Sequence, residues 1–216
     1  MFNLTDLNDA PKGGSIYLNG GINENAEIME VSASSSQAGN PMITVHIANG
    51  SNTNVDTNKD AKKFTFPISD KAFTFGGEPM TPYQMTMTKL LHLNNAVCKK
   101  AEFINIATET GVDGSSLPTL AQVEDFASRL NDLWRGHSFR LKLIKREYLN
   151  AENVVKVTAD ISLAPFAEPT EDDAEYAAVE TTKLTYVEGQ GYDFQKLKGP
   201  RPQAEGNLAA AATVNF

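Results

Sequence analysis

The chain has 216 residues, a formal net charge of −8 and a pI near 4.9, and its 41% hydrophobic content is enough for the core of one elaborated domain, or of one domain with long appendages. A single cysteine, Cys98, excludes an intrachain disulfide and a thiolate metal site. The opening residues carry no secretory signal and no apolar run reaches membrane-spanning length, so the sequence predicts a cytoplasmic protein, in the host cytoplasm if viral.

Residues 1–25 are rich in Asn, Asp and Gly and read as a flexible N-terminal segment, with a short extended piece at 15–18. From Ala26, AEIMEVSAS reads as a strand, SSQAGNP as a turn and MITVHIAN as a second strand. Ile43, Val45 and Ile47 alternate with Met42, Thr44 and His46, which is the period of a half-buried strand in a hairpin. Residues 50–60 form a polar loop. KKFTFPIS is a third strand, with Phe64 and Phe66 on one face and Pro67 at its end or edge.

Residues 81–99 have helical spacing, and Thr81-Pro82 supplies an N-cap with proline at the first helical position. Residues 107–118 read as a loop. A second helix follows, opened by a Thr119/Gln122 capping box, striped by Leu120, Val123, Phe126, Leu130 and Trp134, and ended by Gly136. HSFRLKLIKREYL and VVKVTADISL then form a hairpin around NAEN. Phe139, Leu141 and Leu143 point one way; Arg140, Lys142, Ile144, Arg146 and Tyr148 point the other. Val155, Val157, Ala159, Ile161 and Leu163 are the expected inner face of the second strand. Such alternation marks an antiparallel sheet or small barrel with one solvated face. Residues 168–188 carry seven acids against one base, and TTKLTYVEG, which follows the acid run EPTEDDAEYAAVE, has the pattern of a further strand. The end has the composition of a tail.

No P-loop, nucleophile elbow or dinucleotide fingerprint is present, and His46, His92 and His137 have no ligand-like spacing. The sequence therefore predicts a protein that is not an enzyme and needs no cofactor or metal. The informative segment is 136–156, where five cations stand against two acids, a formal +3 inside a chain of −8. Arg140, Lys142, Arg146 and Lys156 are placed to follow phosphates, and Tyr148 to stack on a base. The same pattern also describes ordinary solvated residues on an amphipathic strand. The acid run reads either as a solvating linker or as a polyanion mimic folding back on the basic strand. Phe216, with its free carboxylate, is a candidate for capture by a partner's pocket.

The order of AEIMEVSASSSQAGNPMITVHIANG, FASRLNDLWRGHSFRLKLIKREYL and VVKVTADISLAPF resembles bacteriophage single-stranded-DNA-binding proteins of the OB-fold type, over about residues 26–166. The resemblance implies a mainly β, OB-like small antiparallel barrel with helices inserted between its third and fourth strands. It divides the chain into a flexible segment (1–25), an OB-like nucleic-acid-binding domain (26–166), and an acidic segment with C-terminal tail (167–216). It implies sequence-independent binding of single-stranded DNA in replication or recombination, with replication or recombination proteins as partners of the tail. Phe64 is a further stacking candidate, with Phe66 and Phe73 behind it. Two features differ from that family pattern: the acids lie at 168–180 rather than at the end, and stacking aromatics are few. The rival reading is a virion structural or cargo protein, or a protein-binding adaptor. A homo-oligomer is compatible with either.

Overall fold

A computed structural model of the chain describes residues 18–50, 61–161, 166–169, 184–187 and 193–197. Strands β1 (Gly21–Ser35) and β2 (Pro41–Asn49) form the expected antiparallel hairpin. The turn closes where Gly39 adopts φ 79° and Ser36 N–H donates to Asn40 O at 2.8 Å. Strand β3 (Lys62–Pro67) pairs with β2 and turns Phe64 and Phe66 into the core. A separate hairpin follows, β4 (Phe73–Phe75) and β5 (Glu78–Met80), which the sequence reading missed. Its signal was the Gly76-Gly77 pair, both at positive φ, as a two-residue hairpin turn requires.

Three helices come next: α1 (Pro82–Val97), α2 (Lys100–Thr110) and α3 (Leu120–Trp134). Capping boxes open α1, through Thr81 and Gln84, and α3, through Thr119 and Gln122. Helix α2 corrects the expected loop at its first residues, 107–110. It was hard to read because its N-cap, Lys99, makes no side-chain capping bond and only Phe103, Ala107 and Thr110 are buried. Gly111, at φ 71°, ends it.

The chain then returns to the sheet as β6 (Ser138–Leu149), β7 (Val155–Asp160), β8 (Ala167–Pro169) and β9 (Phe194–Gln195). The main strands run in the order β3-β2-β1-β6-β7, and β6 also pairs with β8 and, in parallel, with β9. The mainly β architecture with a helical insertion is as expected, but the barrel is not closed. Among the described residues no backbone ladder joins β3 to β7; polar and charged side chains meet across that seam instead. The sheet also reaches past the expected domain bounds on both sides, starting at Gly21 and taking in β8 and β9. The expected strand over 181–189 is absent from Leu184–Val187, its described part.

The core lies between the sheet and the helices. Ile28, Ile43, Val45, Ile47, Phe139, Leu141 and Leu143 from the sheet are buried with Leu90, Leu93, Phe126, Leu130 and Trp134 from the helices. Phe103 lies edge-on to Phe126 and stacks on Trp134 at centroid separations of 5.6 and 6.4 Å. Val157 departs from its expected inward position and is 55% exposed, because the outer half of the β6–β7 hairpin overhangs this core.

Asn94 joins the helical layer. Its Oδ1 accepts from Trp134 Nε1–H at 3.1 Å, and its Nδ2 donates to Cys98 O and Lys99 O at 3.4 and 3.2 Å. Asn94→Ala strands the buried Trp134 indole N–H and frees the carbonyls at the α1–α2 junction, and should lower stability by about 2–3 kcal/mol. The fluorescence of Trp134, the single tryptophan and fully buried, should report this in a urea titration. Burial also depresses the His46 and His92 pKa values below the ordinary 6.5. A depressed histidine stabilises the fold above its unfolded pKa, and that contribution fades as pH falls below it. The urea midpoint should therefore drop as pH is lowered from neutrality through 6.5, and the drop should be shallower in His92→Gln.

Candidate nucleic-acid interface

Strand β6 holds most of the cations named from sequence, and the structure divides them into two groups. Arg140 and Lys142 point away from the core, but both are paired, Arg140 partly exposed and Lys142 buried. Arg140 Nε and Nη2 donate to the Glu24 carboxylate at 2.6 and 3.2 Å, and its Nη1 meets Glu168. Lys142 is buried, with Nζ 2.5 Å from Asp193 Oδ1. Both carboxylates are themselves anchored. Glu168 accepts from Leu184 N–H at 2.9 Å, and Asp193 accepts from Val187 N–H at 2.7 Å. The expected ribbon Arg140–Lys142–Arg146 is thus corrected. Its first half is covered where Glu168 of β8 and Asp193 meet it.

The second half is open. Arg146 is exposed and sits opposite Thr158 in the β6–β7 register; Tyr148, 41% exposed, sits opposite Lys156. Alternate residues share a face, and so do cross-strand partners, so Arg146, Tyr148, Lys156 and Thr158 occupy one face of the hairpin. That face runs into a cleft of about 210 Å³ at the seam between β3 and β7. Lys62 and Lys63 from β3, Lys89 from α1 and Arg146 from β6 line it, against Asp160 alone, a formal +3. Lys62 Nζ donates across the seam to Thr158 Oγ1 at 3.4 Å, and Arg146 Nη1 lies 3.2 Å from Asp160 Oδ2. Burial lowers the Lys62 and Lys89 pKa values, and the Asp160 charge opposes that.

Phe64 is corrected as a stacking residue. It is 5% exposed, with its ring in the core and the Lys62 ammonium 5.8 Å from its centroid. Phe66 is likewise buried, beneath Lys89 Nζ at 6.0 Å. Such cation–π contacts hold the two ammonium groups over the seam. Phe216 lies outside the described residues. Lys62, Lys63 and Lys89 are the members that sequence reading missed. The Lys62-Lys63 pair opening β3 was legible, but Lys89 sits within a helical pattern and only packing brings it to the sheet.

Among the described residues, no three His, Cys, Asp or Glu side chains converge as a metal site, and no helix is long and apolar enough to cross a membrane. The two groups of cations should separate in a stability measurement. Lys142→Ala leaves the Asp193 carboxylate buried without its cation and should cost about 3–5 kcal/mol. Arg146→Ala removes an exposed pair and should change stability by no more than about 1 kcal/mol. Urea titrations followed by Trp134 fluorescence check both. No protein-family model matches this chain and no curated protein sequence matches it, so the cleft's geometry and charge carry the functional reading.

Proposed function

We propose that the chain binds single-stranded DNA without sequence preference, as a non-enzymatic protein of replication or recombination. The strand runs along the cationic cleft between β3 and β7 and out over the Arg146/Tyr148/Lys156 face of the hairpin. The supporting observation is the convergence of four cations from three separate elements on one carboxylate, in a chain whose net charge is −8. Local field decides polyanion binding, and a narrow cleft of one sign concentrates it. The cations meet phosphates, Tyr148 gives a base a ring to stack on, and a single strand is thin and flexible enough to follow the seam. Five strands in the order β3-β2-β1-β6-β7, with helices inserted after the third, are in keeping with a partly open OB-like barrel.

One observation favours a second reading, a virion structural protein or protein-binding adaptor. Arg140 and Lys142 are tied to Glu168 and Asp193, so the basic strand is in part an internal scaffold.

Fluorescence anisotropy with labelled oligo-dT of about 30 nucleotides, beside duplex of the same length, separates the two at low and moderate salt. The expected result is salt-sensitive binding to the single strand. The slope of log affinity against log salt should shrink by about 2 in Lys63→Ala/Lys89→Ala/Arg146→Ala, at roughly 0.7 per lost phosphate contact. Tyr148→Ala should weaken binding by about 1–3 kcal/mol with the slope kept. Absence of binding at low salt, or an unchanged slope in the triple variant, favours the adaptor.

A further inference from the structure

A second surface has the opposite character. A groove of about 660 Å³ lies between the start of α1, the end of β5 and the loop joining α2 to α3. Tyr83, Met87, Met80 and Leu117 supply apolar lining, Asp70 and Asp113 stand among the lining residues, and no Lys or Arg is among the described residues that line it. The volume lies in the range of preformed ligand sites.

The groove is built rather than incidental. Tyr83 is buried, and its hydroxyl accepts from Gly114 N–H at 3.0 Å, which fixes the loop against the helix. Asp113 accepts from Ser115 N–H and Oγ–H at 2.9 and 2.6 Å, and these bonds hold its carboxyl below the ordinary range and keep it ionised. The apolar surface continues outward. Leu117 is 46% exposed, and Phe73, opposite Met80 in the β4–β5 register and so on the same face, is 37% exposed. Apolar side chains thus continue from the groove onto the exposed surface beside it.

We infer that this groove docks a cationic-apolar segment of a partner protein, large side chains entering between Met80, Met87 and Leu117 and flanking Lys or Arg residues meeting Asp70 and Asp113. Charge complementarity selects the occupant. A nucleic-acid strand is repelled by the two carboxylates, and so is an acidic tail, whereas a basic amphipathic segment satisfies both halves of the groove. Methionine side chains adapt to varied apolar shapes, which suits a peptide site. Helix α1 contributes to both surfaces, with Lys89 at the cationic seam and Tyr83 and Met87 at the groove, so a nucleic-acid strand and a partner can be held at once.

The probe is a fluorescein-labelled synthetic peptide, Lys-Leu-Phe-Lys-Leu-Lys, with a counterpart in which glutamate replaces each lysine. The full chain, carrying methyl-labelled methionine, is titrated with both. The expected result is binding of the lysine peptide with methyl shifts at Met80 and Met87, and none with the glutamate peptide. Asp70→Asn/Asp113→Asn should weaken binding about tenfold. Leu117→Ser, in an exposed loop, should weaken it separately. The control Glu124→Gln/Asp132→Asn removes two exposed carboxylates elsewhere and should leave binding intact. Equal weakening by the control shows general attraction to an acidic chain and overturns the inference. Failure of the lysine peptide to bind also overturns it, as does self-association of the wild type that Asp70→Asn/Asp113→Asn abolishes, which assigns the groove to a second copy.

Discussion

Strand β6 is the constraint on which the rest of the structure depends, because it serves two interiors at once. Phe139, Leu141 and Leu143 face the helical layer and are fully buried there. Arg140 and Lys142 face the opposite way, where Glu168 of β8 and Asp193 lie. A charge withdrawn from water must find a partner of opposite sign, and Glu168 and Asp193 are those partners. Each of these carboxylates also accepts a backbone N–H from residues 184–187, so the ion pairs carry the later chain onto the sheet. Their contribution is chiefly to register, since a buried ion pair adds little net stability over an apolar substitute while loss of one partner is costly.

Past Leu143 the requirement changes. Ile144 is the last buried residue of β6, and toward the tip of the hairpin the apolar layer ends, which is why Val157 and Tyr148 are exposed. The seam between β3 and β7 arises in the same place. Without a backbone ladder to close it, the seam is occupied by long cationic side chains, with the Lys62 and Lys89 ammonium groups over the Phe64 and Phe66 rings. One strand thus supplies a neutralised, structural half and a solvated, available half.

Helix α1 distributes charge between the two candidate surfaces. Lys89, on its later turns, joins the cationic seam; its first turns, with Asp70 and Asp113 nearby, border an apolar and acidic groove. A net charge of −8 therefore describes neither surface. The protein segregates its charges, and each surface presents a field suited to a different kind of partner.

The sequence by itself determined the local structure that short-range chemistry decides. Period-2 alternation marked β1, β2, β3, β6 and β7. The Thr119/Gln122 box and the Thr81-Pro82 start marked two helix ends, because capping satisfies backbone groups within one turn. It also singled out Arg146, Tyr148 and Lys156. It did not reveal α2, whose apolar face is three residues wide, nor the pairing of Arg140 with Glu24 and Glu168, which are far from it along the chain. Alternation shows that two side chains share a face; it cannot show whether that face meets water or a later strand. Tertiary structure alone decided that Lys142 is buried, that Phe64 belongs to the core, and that Lys62 and Lys89 join Arg146 at an unclosed seam. The physical reason is that burial and charge pairing depend on contacts between distant segments, and no local pattern encodes those.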